Sequence, residues 1–185
     1  MTSAELPVDA FGRIQQGVHR VADGLTPADL AVRVDDRANS IGWLLWHLTR
    51  VQDDHLAAAA QMEQVWTSGG WVDRFGLPFA VSATGYGQDS DDVAAVRVDS
   101  AALLTDYYDA VHQRTIDYVE RLTDADLARI VDQSWQPPVT LGVRLVSVVA
   151  DDLAHVGQAG FVRGLIERPA APDRRAPPAG KPSNR

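Results

Sequence analysis

Residues 140–167, TLGVRLVSVVADDLAHVGQAGFVRGLIE, decide how this chain is read. Thr140 is a good helix N-cap, and no proline interrupts the run from Leu141 to Glu167. The run is strongly apolar, yet it has one polar side. Arg144, Asp151, His155 and Gln158 follow one another at spacings of seven, four and three, which stacks them along one face of a helix. Asp151 and His155 are therefore one turn apart. Left unpaired inside so apolar a helix, a carboxylate and an imidazole are costly. Together they can hold one divalent ion. The same spacing also serves a surface ion pair, or a buried Asp–His pair with no metal.

A third donor comes from an earlier helix. Ser40 is a second N-cap, and SIGWLLWHLTRVQDDHLAAAAQ predicts a helix from Ser40 to about Gln61. Ile41, Leu44, Leu45, Leu48 and Val51 form its apolar stripe, and His47 sits on the stripe's inner edge. His47, Asp151 and His155 together give three nitrogen and oxygen donors. Three protein ligands leave positions open for water or substrate, the pattern of a catalytic metal rather than a structural one. The rivals are weaker. Asp152 points about a hundred degrees away from Asp151 around the helix. His55 is turned off the His47 face and lies further along the axis. His112 is read as solvated, and His19 as a surface or boundary residue beside its own stripe.

Two more long helices complete the set. Phe11, Ile14, Val18 and Val21 recur at helical spacing, so a first helix is expected from about Pro7 to Gly24. Leu103, Leu104, Tyr107, Val111, Tyr118 and Leu122 predict another from Ser100 to about Leu122. TPADL at Thr26 and TDADL at Thr123 both read as helix starts. Pro137 and Pro138 keep residues 130–139 extended or looped. Between the second and third long helices, residues 66–99 combine glycines with Trp66, Trp71, Phe75, Phe79 and Tyr86, and show no clear period. That is a long structured loop, either a lid or a packed connector, with a short helical turn expected near Asp91 to Val98. The expected fold is all-α: an up-and-down four-helix bundle with a long crossover loop between helices 2 and 3.

Bulk composition narrows the function. The chain has 185 residues, enough for one domain with a real core. Its formal net charge is -8, which argues against nucleic acid as a partner. No apolar run is long enough to span a membrane, and no apolar core of a signal peptide follows Met1, so a cytoplasmic location is expected. There is no cysteine, so any thiol chemistry needs a thiol from a small molecule. The charge is uneven. Residues 1–167 hold 12 Lys and Arg against 24 Asp and Glu, whereas the Pro-rich segment 168–185 holds five bases and one acid. The bundle is expected to occupy 1–167, and 168–185 to be a basic, disordered tail.

SIGWLLWHLTR (Ser40 to Arg50) and DDLAHVGQAGFVRGL (Asp151 to Leu165) resemble the DinB/YfiT-like superfamily, and the similarity extends over roughly Phe11 to Glu167. The first segment resembles that family's WHLxR stretch, which gives one ligand histidine, here His47. The second resembles its His/acid-x-x-x-His-x-Gly-Gln stretch, which gives two ligands, here Asp151 and His155. GWVDRFGLP (residues 70–78) and TGYG (residues 84–87) resemble an actinobacterial branch. The resemblance implies a zinc, nickel or iron ion, a small-molecule substrate and often a homodimer. It also implies chemistry like that of thiol-dependent transferases and mycothiol-dependent maleylpyruvate isomerases, with a low-molecular-weight thiol as cosubstrate. The commonest family pattern has histidine where this chain has Asp151. A carboxylate there suits zinc or a harder ion. Gln158, Arg144 and Arg50 are expected around the pocket. The two arginines would meet an anionic substrate or pair with Asp151, Asp152 or Asp54. A metal- or small-ligand-binding stress or sensor protein without turnover is the alternative.

Overall fold

A computed structural model describes residues 2–168, so the expected tail lies outside the described residues apart from Arg168. Four long helices carry the fold: α1 (Glu5–Ala22), α3 (Ile41–Ala60), α7 (Ala101–Val119) and α9 (Leu141–Ile166). Short elements join them: α2 (Pro27–Leu30), α4 (Val65–Ser68), α5 (Trp71–Phe75), α6 (Ser90–Ala95), α8 (Asp124–Leu127), β1 (Ile130–Asp132) and β2 (Val139–Thr140).

Ser40 and Thr140, read as caps from the sequence, close their helices, and Ser100 caps α7 as well. Ser40 Oγ accepts from Trp43 N, Ser100 Oγ from Leu103 N, and Thr140 Oγ1 from Val143 N. Each satisfies one backbone donor that the first helical turn leaves open. Thr26 and Asp29 form a full capping box on α2. The expected loop 66–99 is built from α4, α5 and α6 joined by turns. The Pro-rich stretch from residue 130 forms the small antiparallel ribbon β1–β2.

The four long helices form the expected all-α bundle. The packed pairs are α1 with α7, α7 with α3, α3 with α9, and α9 with α1. Going round the bundle, the order is thus α1, α7, α3, α9. The core is apolar at the predicted positions of three helices, Phe11, Ile14 and Val18 from α1, Leu44, Leu45 and Leu48 from α3, and Leu104 and Val111 from α7, and α9 adds Leu145 and Val148. α3 is buried on nearly every side from Ile41 to Arg50, because the loop after it folds back over its outer face. α1 and α9 approach closely where a Cβ on Gly17 would fall 2.6 Å from Val156 Cγ1, so any side chain there must displace Val156. That contact lies next to His155 in sequence. Among the described residues, no helix is long and apolar enough to cross a membrane.

Candidate metal centre

The neighbouring helices α3 and α9 carry the three predicted donors and bring them together. One ligand atom each from His47, Asp151 and His155 lies within 4.8 Å of the others. His155 Nε2 is 3.6 Å from Asp151 Oδ1. A direct N–H···O bond would sit near 2.7–3.2 Å, so this pair is held slightly too far apart to bond well. Two donors on one zinc at about 2.1 Å each stand roughly 3.4 Å apart in tetrahedral geometry. The spacing therefore fits a shared ion better than a direct Asp–His bond. A second observation agrees: Asp151 Oδ2 is buried and has no hydrogen-bond partner. A buried carboxylate oxygen left unpartnered is expensive, and a cation bound by the Asp151 carboxylate would offset that cost.

Both imidazoles are turned by a bond on their far side. His47 Nδ1 lies 2.5 Å from the carbonyl oxygen of Thr84. A carbonyl only accepts, so Nδ1 carries the proton and Nε2 keeps its lone pair. Burial pushes the His47 pKa down, with the Thr84 bond opposing the shift and His155 adding to it. The neutral ring that a metal requires is thereby favoured. His155 Nδ1 lies 2.9 Å from Gln158 Oε1, an acceptor one turn further along α9. This fixes the second ring in the same sense and sets Gln158 beside His155. The rings of His47 and His155 meet edge-on, their centres 4.9 Å apart.

One wall of the site comes from residues the sequence did not assign to it. Trp43, one turn before His47, stacks on its ring at 4.5 Å, and Gln88 holds the Trp43 indole N–H at 2.7 Å. Gly85 lies flat against the same ring. An ideal Cβ there would be 2.6 Å from His47 Nδ1, and the backbone has φ of +96°. The loop carrying Thr84, Gly85 and Gln88 thus reaches His47 through backbone, which no side-chain pattern announces. The two glycines of TGYG were its only trace in the sequence.

Three expectations need correction. Arg50 does not face a substrate: it is fully buried, gives Nε–H to Ala83 O and Nη1–H to Gln64 Oε1, and lies 3.6 Å from Asp53. Helix α3 is wrapped by the following loop, so its outer face is interior. Arg144 is paired, but with Asp132 of β1 at 2.7 Å rather than with Asp151, Asp152 or Asp54. The ribbon folds over α9 and brings a nearer carboxylate. His112 is half-buried rather than solvated, stacked on Tyr108 with ring centres 6.0 Å apart. The rivals stand where the helical geometry put them. Asp152 points into the core and is fully buried, and burial holds its carboxyl pKa well above the usual range, with Asp151 adding to the shift. His55 lies outside the triangle beside Asp54 at 3.7 Å. His19 is exposed and bonded to Asp109 at 2.8 Å.

Comparison with known proteins places these features in a wider set. The profile of the DinB superfamily matches residues 10–159, a range that includes all three donors and Gln158. A conserved protein of Enterococcus faecalis, solved by crystallography, is similar in structure with a TM-score of 0.84 and 28% sequence identity. The similarity covers 90% of this chain and 98% of that one. No curated protein matches the chain.

Proposed function

The chain belongs to the DinB superfamily, whose members bind divalent metals, and on that premise we propose that it is a metal-dependent enzyme that activates a low-molecular-weight thiol for attack on an electrophilic small molecule. The single observation that carries the reading is the triangle of His47, Asp151 and His155 with its unpartnered carboxylate oxygen. Those three residues would hold the ion. Their mixed nitrogen and oxygen set suits zinc, with nickel or iron as alternatives.

A divalent ion supplies charge that lowers the pKa of a thiol or water held there, giving a nucleophile at neutral pH. The remaining work falls to the chain. Thr84 and Gln158 each take an imidazole N–H and so keep both Nε2 lone pairs free for the ion. Trp43 and Gly85 pack against the His47 ring and fix its plane. Asp151 contributes the one negative charge of the set, so a doubly charged ion there leaves a net positive centre for an anionic nucleophile. The chain has no cysteine of its own, which supports a borrowed thiol.

Elemental mass spectrometry on protein purified without added metal tests the first half. Wild type is expected to carry close to one ion per chain, and His155→Ala to lose it. Metal in neither protein, even after soaking with zinc, nickel and iron, would overturn the reading. The second half is tested by incubating metal-loaded protein with a panel of small thiols and electrophiles and looking for S-conjugates. Metal binding without any conjugate would leave a ligand-binding or sensor protein.

A further inference from the structure

Next to the triangle, between α9 and the segment that leads into α3, runs a groove of about 520 Å³ lined by Arg37, Asn39, Leu44, Gln158, Phe161 and Val162. Its size is that of a small-molecule site, which typically spans about 300–1,000 Å³. Gln158 belongs to both places, since its Oε1 is the atom that holds His155 Nδ1. The groove is two-sided in character. Leu44 and Val162 form a buried floor, and Phe161 leaves an aromatic ring 63% exposed above it. At the other end lies the exposed side chain of Arg37, whose guanidinium has no ion-pair partner among the described residues. Its segment is nonetheless fixed. The Arg37 N–H bonds Asp35 Oδ1 at 2.8 Å, and Arg33 ties the segment to α6 through Ala38 O at 2.5 Å and Ser90 O at 3.0 Å.

We propose that this groove is the substrate subsite of the metal centre, and that it takes a small organic anion. The acidic end, a carboxylate or phosphate, pairs with Arg37, and the hydrocarbon or aromatic body lies on Phe161 over Leu44 and Val162. A planar guanidinium accepts such an anion through two parallel N–H···O bonds. The groove also has room left by glycine: nothing lies within 4 Å of where a Cβ on Gly157 would be. The identity of the subsite rests on the metal reading above, but binding in the groove does not need the ion, because neither Arg37 nor Phe161 belongs to the triangle.

The test is a titration of isotope-labelled, chelator-treated protein with benzoate, followed by amide NMR shifts, with benzyl alcohol and sulfate as controls. Benzoate is expected to move the amides of Ala38, Asn39, Gly157 and Phe161 and to saturate. Benzyl alcohol keeps the ring without the charge and should bind about tenfold or more weakly. Arg37→Gln should remove that difference, and Arg37→Lys should restore part of it. Gly157→Leu should block benzoate by filling the groove while leaving the helix at least as stable, since glycine is a poor helix former. Equal binding of benzoate and benzyl alcohol, sulfate binding as tight as benzoate, shifts elsewhere, or unchanged binding in Arg37→Gln would each overturn the proposal. A failed metal assay with a positive titration would sink only the link to the ion. A negative titration on a metal-binding protein would sink only the subsite.

Discussion

Replacing Gly85 with alanine should damage the fold and the candidate metal site together. Its φ of +96° is comfortable only for glycine, and holding another residue there costs on the order of 1–3 kcal/mol. The added methyl has nowhere to go. It would lie 2.6 Å from His47 Nδ1 and 3.1 Å from both Trp43 Cζ2 and Trp46 Cζ3. None of these neighbours yields easily: His47 is clamped between the Trp43 ring and Thr84 O, and Trp46 is 1% exposed. The loop must instead retreat by most of an ångström to reach ordinary contact, which breaks the 2.5 Å bond from His47 to Thr84. Strain and overpacking together predict a loss of about 2–4 kcal/mol, read by urea unfolding of the metal-free protein. If His47 binds the proposed ion, losing the bond that orients its ring predicts about 10–100-fold weaker zinc binding, read by competition with a chromophoric chelator. Stability within about 0.5 kcal/mol of wild type would refute the packing reasoning. Lower stability with unchanged zinc affinity would refute the idea that this loop orients His47.

Other outcomes follow from the same geometry. Arg50→Ala leaves Asp53 buried without its cation, although Val65 N, Trp66 N and Tyr107 Oη still bond it. Urea unfolding should show a loss of about 3–5 kcal/mol, and a loss below about 1 kcal/mol would mean the ion pair is dispensable. Burial lowers the His112 pKa below its ordinary 6.5, opposed by Asp109 and reinforced by His19, so the unfolded chain takes up the proton first. The stability from this neutral ring is complete above that value and is lost as pH falls through it toward the folded pKa. His112→Gln should therefore lose less stability than wild type between pH 7.5 and 5, and parallel pH profiles would contradict this. The solvent side of α9 away from the groove carries Val143, Val146 and Leu153. If that face meets a second copy in the homodimer the resemblance implies, sedimentation velocity should show a wild-type dimer and a folded, monomeric Val146→Glu; a wild-type monomer removes the expectation.

How much of this could be read from residues alone depends on how far apart the interacting groups lie in the chain. Caps and helical stripes are local, so Ser40, Thr140 and the core positions of α1 are legible. Asp151 and His155 were legible for the same reason, since one helical turn fixes their spacing whatever the rest of the fold does. The partners of Arg50 and Arg144 are not legible in the sequence, because they come into place only when other segments pack against the helices. Asp53 is near Arg50 in sequence, but what makes the pair interior is the loop laid over it, from Ala83 to Gln64. Asp132 reaches Arg144 only because the ribbon turns back onto α9.

The link from Thr84 to His47 shows the limit most clearly. It spans 37 positions, and its partner on the loop side is a main-chain oxygen that every residue type possesses. Only the conformational demand leaves a mark, as glycine at residue 85, where a side chain would collide with the ring being held. From its composition the loop between α3 and α7 reads as either a lid or a connector. It is at least a structural part of the site, because without its carbonyl the His47 ring has no fixed tautomer to offer an ion. Helix periodicity therefore finds the candidate donors, whereas the irregular segment decides which nitrogen of His47 is presented.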